Sequence, residues 1–120
     1  MSKFLDKLDV ELLNDGDNTW RLFSDMRYES CLLKKTFTVP KGFKTNFASV
    51  PRLPFAYLLF GGVANQAAVV HDYLYSSGEV TRSQADAVLR EASKTSGVNW
   101  FQRNAMWLGV RVAGSSHYAK

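Results

Sequence analysis

The chain has 120 residues, 46% of them hydrophobic and 13% aromatic, which is enough to bury one core and too few for two large domains. Its net charge of +4 comes from Lys and Arg spread along the length, without the dense basic run that makes a nucleic-acid arm or a polybasic membrane anchor. A single cysteine, Cys31, excludes an intrachain disulfide and a thiolate metal cluster.

One domain over residues 1–120 is therefore expected. Residues 1–13 carry Lys3, Asp6, Lys7, Asp9 and Glu11 where a secretory signal needs an unbroken apolar stretch, so a secreted protein is not expected. The longest apolar run, residues 53–60, contains Pro54 and falls short of the roughly 20 residues that span a bilayer. The composition predicts a soluble chain.

The first half reads as strands and turns. Asn14, Asp15, Gly16, Asp17 and Asn18 form a turn cluster, and residues 19–23 resume with β-favouring side chains. Residues 31–39 alternate loosely, with Leu33, Lys35, Phe37 and Val39 against Lys34, Thr36 and Thr38, before Pro40, Lys41 and Gly42 close the segment as a turn. The expectation is a small antiparallel sheet of about three strands.

The second half changes to a helical period. Over residues 63–77, Ala64, Ala67, Ala68, His71, Leu74 and Tyr75 share one face, and Gly78 follows where a left-handed cap belongs. Thr81 and Gln84 fit a capping box opening a second helix, in which Ala85, Val88, Leu89 and Ala92 repeat until Gly97. Asn99 can cap a third helix with Phe101, Ala105, Leu108 and Val112 on one face, followed by a polar tail from Ser115 to Tyr118 that is expected to fray. Strands first and helices second predict an α+β fold, the sheet in the N-terminal half covered by about three helices in the C-terminal half.

Arg and aromatic residues interleave around Trp100, Phe101, Arg103, Trp107 and Arg111, a pattern that also serves nucleic acids. Core packing is the preferred reading of these aromatics, and nucleic acid is not the expected partner.

Two stretches carry the candidate chemistry. Thr45, Asn46, Ser49 and Arg52 lie in a loop between sheet and helices, rich in groups that hydrogen-bond a ligand or cap turns. His71 and Asp72 sit near the end of the first helix and Asp86 in the second, so antiparallel packing of these helices would bring an imidazole and two carboxylates together. Such a set suits a divalent metal such as Zn, Mn or Fe, or an acid/base group with orienting partners. Read singly, His71 is a hydrogen-bonded core histidine and Asp86 a surface partner of Arg82 or Arg90. The sequence lacks a Walker-type phosphate loop, Gly-x-Gly-x-x-Gly, His-Glu-x-x-His and Gly-x-Ser-x-Gly.

The loop Phe43-Lys44-Thr45-Asn46-Phe47-Ala48-Ser49-Val50-Pro51-Arg52, then Ala67-Ala68 leading into His71-Asp72-Tyr73-Leu74-Tyr75, then Arg82 with Ala85-Asp86, then Gly97-Val98 and the stretch 106–114, together resemble the phage-associated domain of unknown function 1353. The resemblance covers about residues 36–114. It implies a small protein of phages, prophages and some bacteria, found in the host cytoplasm or the virion, with no settled activity. The family's first motif is Thr-Asp-x-Ala-Ser-Val-Pro-Arg, so its polar positions fall on Thr45, Ser49 and Arg52, and the later motifs on His71, Asp72, Tyr75 and Asp86. Asn46 stands where the family has Asp; an amide brings neither charge nor a basic oxygen, which weakens a catalytic or metal-binding role.

Two functional expectations follow. One is a small hydrolase with His71, Asp72 and Asp86 as catalytic or metal-holding groups, and Thr45, Asn46, Ser49, Arg52 and Tyr75 around the substrate. The other is a non-catalytic protein, a virion or tail-assembly component or a modulator of a host protein, acting by protein binding.

Overall fold

The computed structural model describes residues 2–13, 19–45, 65–113 and 118. Among them six short strands come first: β1 (Lys3–Phe4), β2 (Val10–Leu13), β3 (Thr19–Leu22), β4 (Met26–Ser30), β5 (Lys35–Val39) and β6 (Lys44–Thr45). Three helices follow: α1 (Asn65–Ser77), α2 (Arg82–Thr95) and α3 (Trp100–Ala113). The fold is α+β, with strands in the N-terminal half and helices in the C-terminal half.

The strands make two three-stranded antiparallel sheets, ordered β1-β4-β5 and β2-β3-β6, instead of one. The Asp6 carboxylate accounts for the break. It accepts the backbone N–H of Arg27 at 2.9 Å and its Nε at 2.8 Å, so a side chain takes the place of the next ladder bond and β1 stops. The chain then turns away to pair Val10 with Leu22 in the second sheet.

β4 is a strand that the loose periodicity of its neighbours does not reveal. Met26, Tyr28 and Ser30 are buried while Arg27 is exposed, the period-two pattern of a half-covered sheet. Its register sets Tyr28 opposite Phe37 and Met26 opposite Val39, which builds one continuous apolar row. The expected strand over residues 31–39 is shortened to β5, because Lys34 has φ 52 and turns the chain in a left-handed conformation.

Helix ends follow their sequence signals. Gly78 has φ 64 and its N–H donates to the Leu74 carbonyl at 3.1 Å. Thr81 and Gln84 form the reciprocal capping box at the start of α2. At its other end Gly97, with φ 92, donates to Lys94 and Val98 donates to Ser93, the paired bonds of a Schellman motif sealed by buried Val98. Asn99 Oδ1 accepts the Gln102 N–H at 2.9 Å and caps α3.

The core lies between the helices and the inner rows of the strands; α1 packs on β5 and β6, and α2 on β4. A partly buried polar contact ties the layers. Glu91 Oε1 accepts from the Tyr28 hydroxyl and Ser30 Oγ at 2.7 Å each, and Oε2 from the Leu32 N–H at 2.8 Å. Burial alone would raise the Glu91 carboxyl, but these donors, with Ser2, hold it below the usual range.

One expectation for the C-terminal third is corrected. Trp100 and Phe101 are not core residues: they are 66% and 73% exposed, and Met106 and Val110 face inward instead. Polar anchors set this rotation of α3. Arg82 Nη2 donates to the carbonyls of Val110 and Arg111, and the Arg111 side chain reaches inward, which turns Val112 outward. Trp107 is half-buried under the Arg90 guanidinium, 4.4 Å from its ring centroid. Of the tail expected to fray, Ser115 to His117 lie outside the described residues, and Tyr118 has partners. Its ring meets Tyr75 edge-on at 5.3 Å and its hydroxyl donates to the Val80 carbonyl.

Among the described residues no helix is long and apolar enough to cross a membrane.

Candidate functional site

His71 and Tyr75 lie one turn apart on α1, so they stack on the same face, ring centroids 4.1 Å apart. The apolar residues beside them, Ala67, Ala68 and Leu74, press that face into the core. The four-residue turn after Ser77 returns the chain for α2, and the capping box fixes where that helix begins. Asp86 then falls one turn in, opposite the two rings.

The resulting contacts are short and shared. His71 Nε2 stands 2.8 Å from Asp86 Oδ1, and the Tyr75 hydroxyl donates to the same oxygen at 2.5 Å. Arg111 Nη1, from α3, donates to Oδ2 at 2.9 Å. His71, Tyr75 and Asp86 are all buried, whereas the Arg111 side chain is partly exposed at the rim. One carboxylate thus joins all three helices.

Electrostatics follow from this geometry. Burial pushes the Asp86 carboxyl upward, but the hydrogen bonds from His71 and Tyr75, the electrostatic attraction of His71 and the bond from Arg111 outweigh it, and the group is held below the usual carboxylate range. Asp86 is therefore an acceptor only, and His71 Nε2 carries the hydrogen between them. Burial and the Asp86 carboxylate push the Tyr75 phenol well above its ordinary value.

Asp72 faces another way. It is half-buried, and its Oδ2 accepts the hydroxyl of buried Thr45, at the end of β6. This bond links the edge of the second sheet to α1. Among the described residues no group of three or more His, Cys, Asp or Glu converges to hold a metal ion. Nor is Asp86 a surface partner of Arg82 or Arg90. Arg82 is spent on the carbonyls at the end of α3, and Arg90 on Asn104 and Trp107.

Of the residues singled out from the sequence, the structure joins His71, Tyr75 and Asp86 in one cluster and Thr45 with Asp72 in a second. Asn46, Ser49 and Arg52 lie outside the described residues, as does the apolar run 53–60. The member that sequence reasoning misses is Arg111. It lies 25 residues beyond Asp86, beyond the reach of helical spacing; the only signal is that a carboxylate on an apolar face needs a cation from elsewhere.

No curated protein and no solved structure matches the chain. A family profile does, over residues 20–110, and its description is a protein of unknown function, DUF1353. The chain belongs to the DUF1353 family.

Proposed function

We propose that this chain acts by binding a protein partner and not by catalysis, with the His71–Asp86 cluster as the clasp that holds its helices together. The observation that carries the reading is that Asp86 is buried and both its oxygens are already engaged by His71, Tyr75 and Arg111. A general base must come within about 3 Å of the proton it takes, directly or through one water. Among the described residues, the buried pair of His71 and Asp86 offers no such approach.

The exposed side of α3 supports this reading. Phe101, Leu108 and Val112 are 73%, 57% and 76% exposed and share one helical face. Contiguous exposed apolar side chains mark interaction sites. The partner would be a protein of the assembly in which the chain resides, a virion or tail in the phage reading, or a host protein that it modulates.

A photo-crosslinking amino acid placed at Leu108 tests this in producing cells. It is expected to capture a polypeptide, whereas the same group at exposed Lys35, on the sheet, is not. Equal yields at the two positions would count against α3 as the contact surface.

A further inference from the structure

We infer that α3 pairs antiparallel with α3 of a second copy of this chain, through Phe101, Ala105, Leu108 and Val112. The inference rests on the protein-binding reading and names the partner.

The spacing carries the first step. These four residues are separated by four, three and four positions, which is the d-a-d-a order of a coiled-coil seam. On a helix with 3.6 residues per turn they lie within about 60° of one another. All four are exposed, while Met106 and Val110 on the opposite side bury α3 against the rest of the molecule. Among the described residues the helix therefore has two apolar faces, one buried and one exposed.

Size complementarity selects the occupant and its direction. About a two-fold axis near the middle of the stripe, an antiparallel copy sets Phe101 against the partner's Val112 and Ala105 against the partner's Leu108. Each layer then joins one large and one small side chain, as an evenly filled seam needs. A parallel copy would set Phe101 on Phe101 and leave a gap between two alanines. Antiparallel pairing also opposes the two helix dipoles.

Charge does not resist the approach. The residues flanking the stripe are Gln102, Asn104, Gly109 and Arg111, and the Arg111 guanidinium is already paired with Asp86. Two chains of net charge +4 thus meet across a surface with no unpaired charge at its edges. A helix of 14 residues is about 21 Å long, so the seam is smaller than the roughly 800 Å² per partner of a standard interface. The pair belongs to the weak, reversible class.

Sedimentation equilibrium at roughly 100 μM, where a micromolar pair is populated, tests the inference on the full chain. The wild type is expected to be dimeric, and Leu108→Glu monomeric with an unchanged melting temperature, because Leu108 makes little of the core. In a Cys31→Ser background, a mixture of Ala105→Cys and Leu108→Cys chains is expected to form the mixed disulfide in preference to Phe101→Cys alone forming its own. A monomeric wild type, a dimer indifferent to Leu108→Glu, or faster closure at Phe101→Cys would each overturn the proposal. A monomer whose crosslinker at Leu108 captures a different polypeptide overturns self-pairing while leaving the protein-binding reading in place. A monomer that captures nothing removes both.

Discussion

Arg111 reaches 2.9 Å from Asp86 across the gap between the last two helices, and among the described residues it is the arginine on a carboxylate otherwise enclosed by His71 and Tyr75. Removing one partner of such a pair is costly because the other charge stays buried. Arg111→Ala is expected to destabilise the fold by about 2–4 kcal/mol. In a thermal or urea double-mutant cycle, Asp86→Asn combined with Arg111→Ala should cost clearly less than the sum of the single changes. Strict additivity would mean that the two side chains do not act together.

The pH dependence of stability follows from the carboxyls held below their ordinary range, the enclosed Asp86 and Glu91 and the exposed Asp6 beside Arg27. A depressed folded-state pKa gives stability that is complete above the unfolded value and is lost as pH falls through the folded one. Urea midpoints should therefore be flat near neutrality and fall as pH drops below about 4. Glu91→Gln is expected to make that acid limb shallower. An unchanged limb in this variant would show that Glu91 is not held low by its donors.

Glu91 also joins the helical layer to the first sheet. Glu91→Ala leaves the Tyr28 hydroxyl, Ser30 Oγ and the Leu32 N–H without their acceptor, and the expected cost is about 2–3 kcal/mol. Amide hydrogen exchange gives the local readout. The Leu32 amide should lose protection even under conditions where the α1 amides keep theirs.

Gly97 isolates a purely conformational effect. A Cβ built there meets nothing within 4 Å, but φ is 92, a conformation that side-chain-bearing residues rarely adopt. Gly97→Ala is expected to lower stability by about 1 kcal/mol with no change in the denaturant slope. A neutral result would indicate that the α2 terminus relaxes out of its Schellman geometry.

The sequence makes the helices far more legible than the sheets, for a physical reason. The capping box at Thr81 and Gln84, the apolar repeat through Ala92 and the glycine after it are local signals, each fixed by residues within one or two turns. The meeting of His71 with Asp86 can be reasoned from the same spacing, because the turn between α1 and α2 is short. β4 is harder, since five residues give only two and a half alternations, and Ser30 takes an inward place for a hydrogen bond to Glu91. The split into two sheets depends on Asp6 meeting Arg27 from 21 residues away. Arg111 escapes for a related reason: its sequence neighbours suggest a basic aromatic helix, whereas its partner is set by the tertiary rotation of α3.

The placement of Asp86 bears on how the chain can fold as it leaves the ribosome. The aromatic and imidazole partners of that acid precede it, but the arginine that pairs with it comes 25 residues later. A nascent chain that has produced the first two helices would carry that acid in their interface without its arginine, which favours a loose, hydrated pairing. Synthesis of the third helix supplies the missing positive end, so closure of the interior is coupled to arrival of the C-terminal segment.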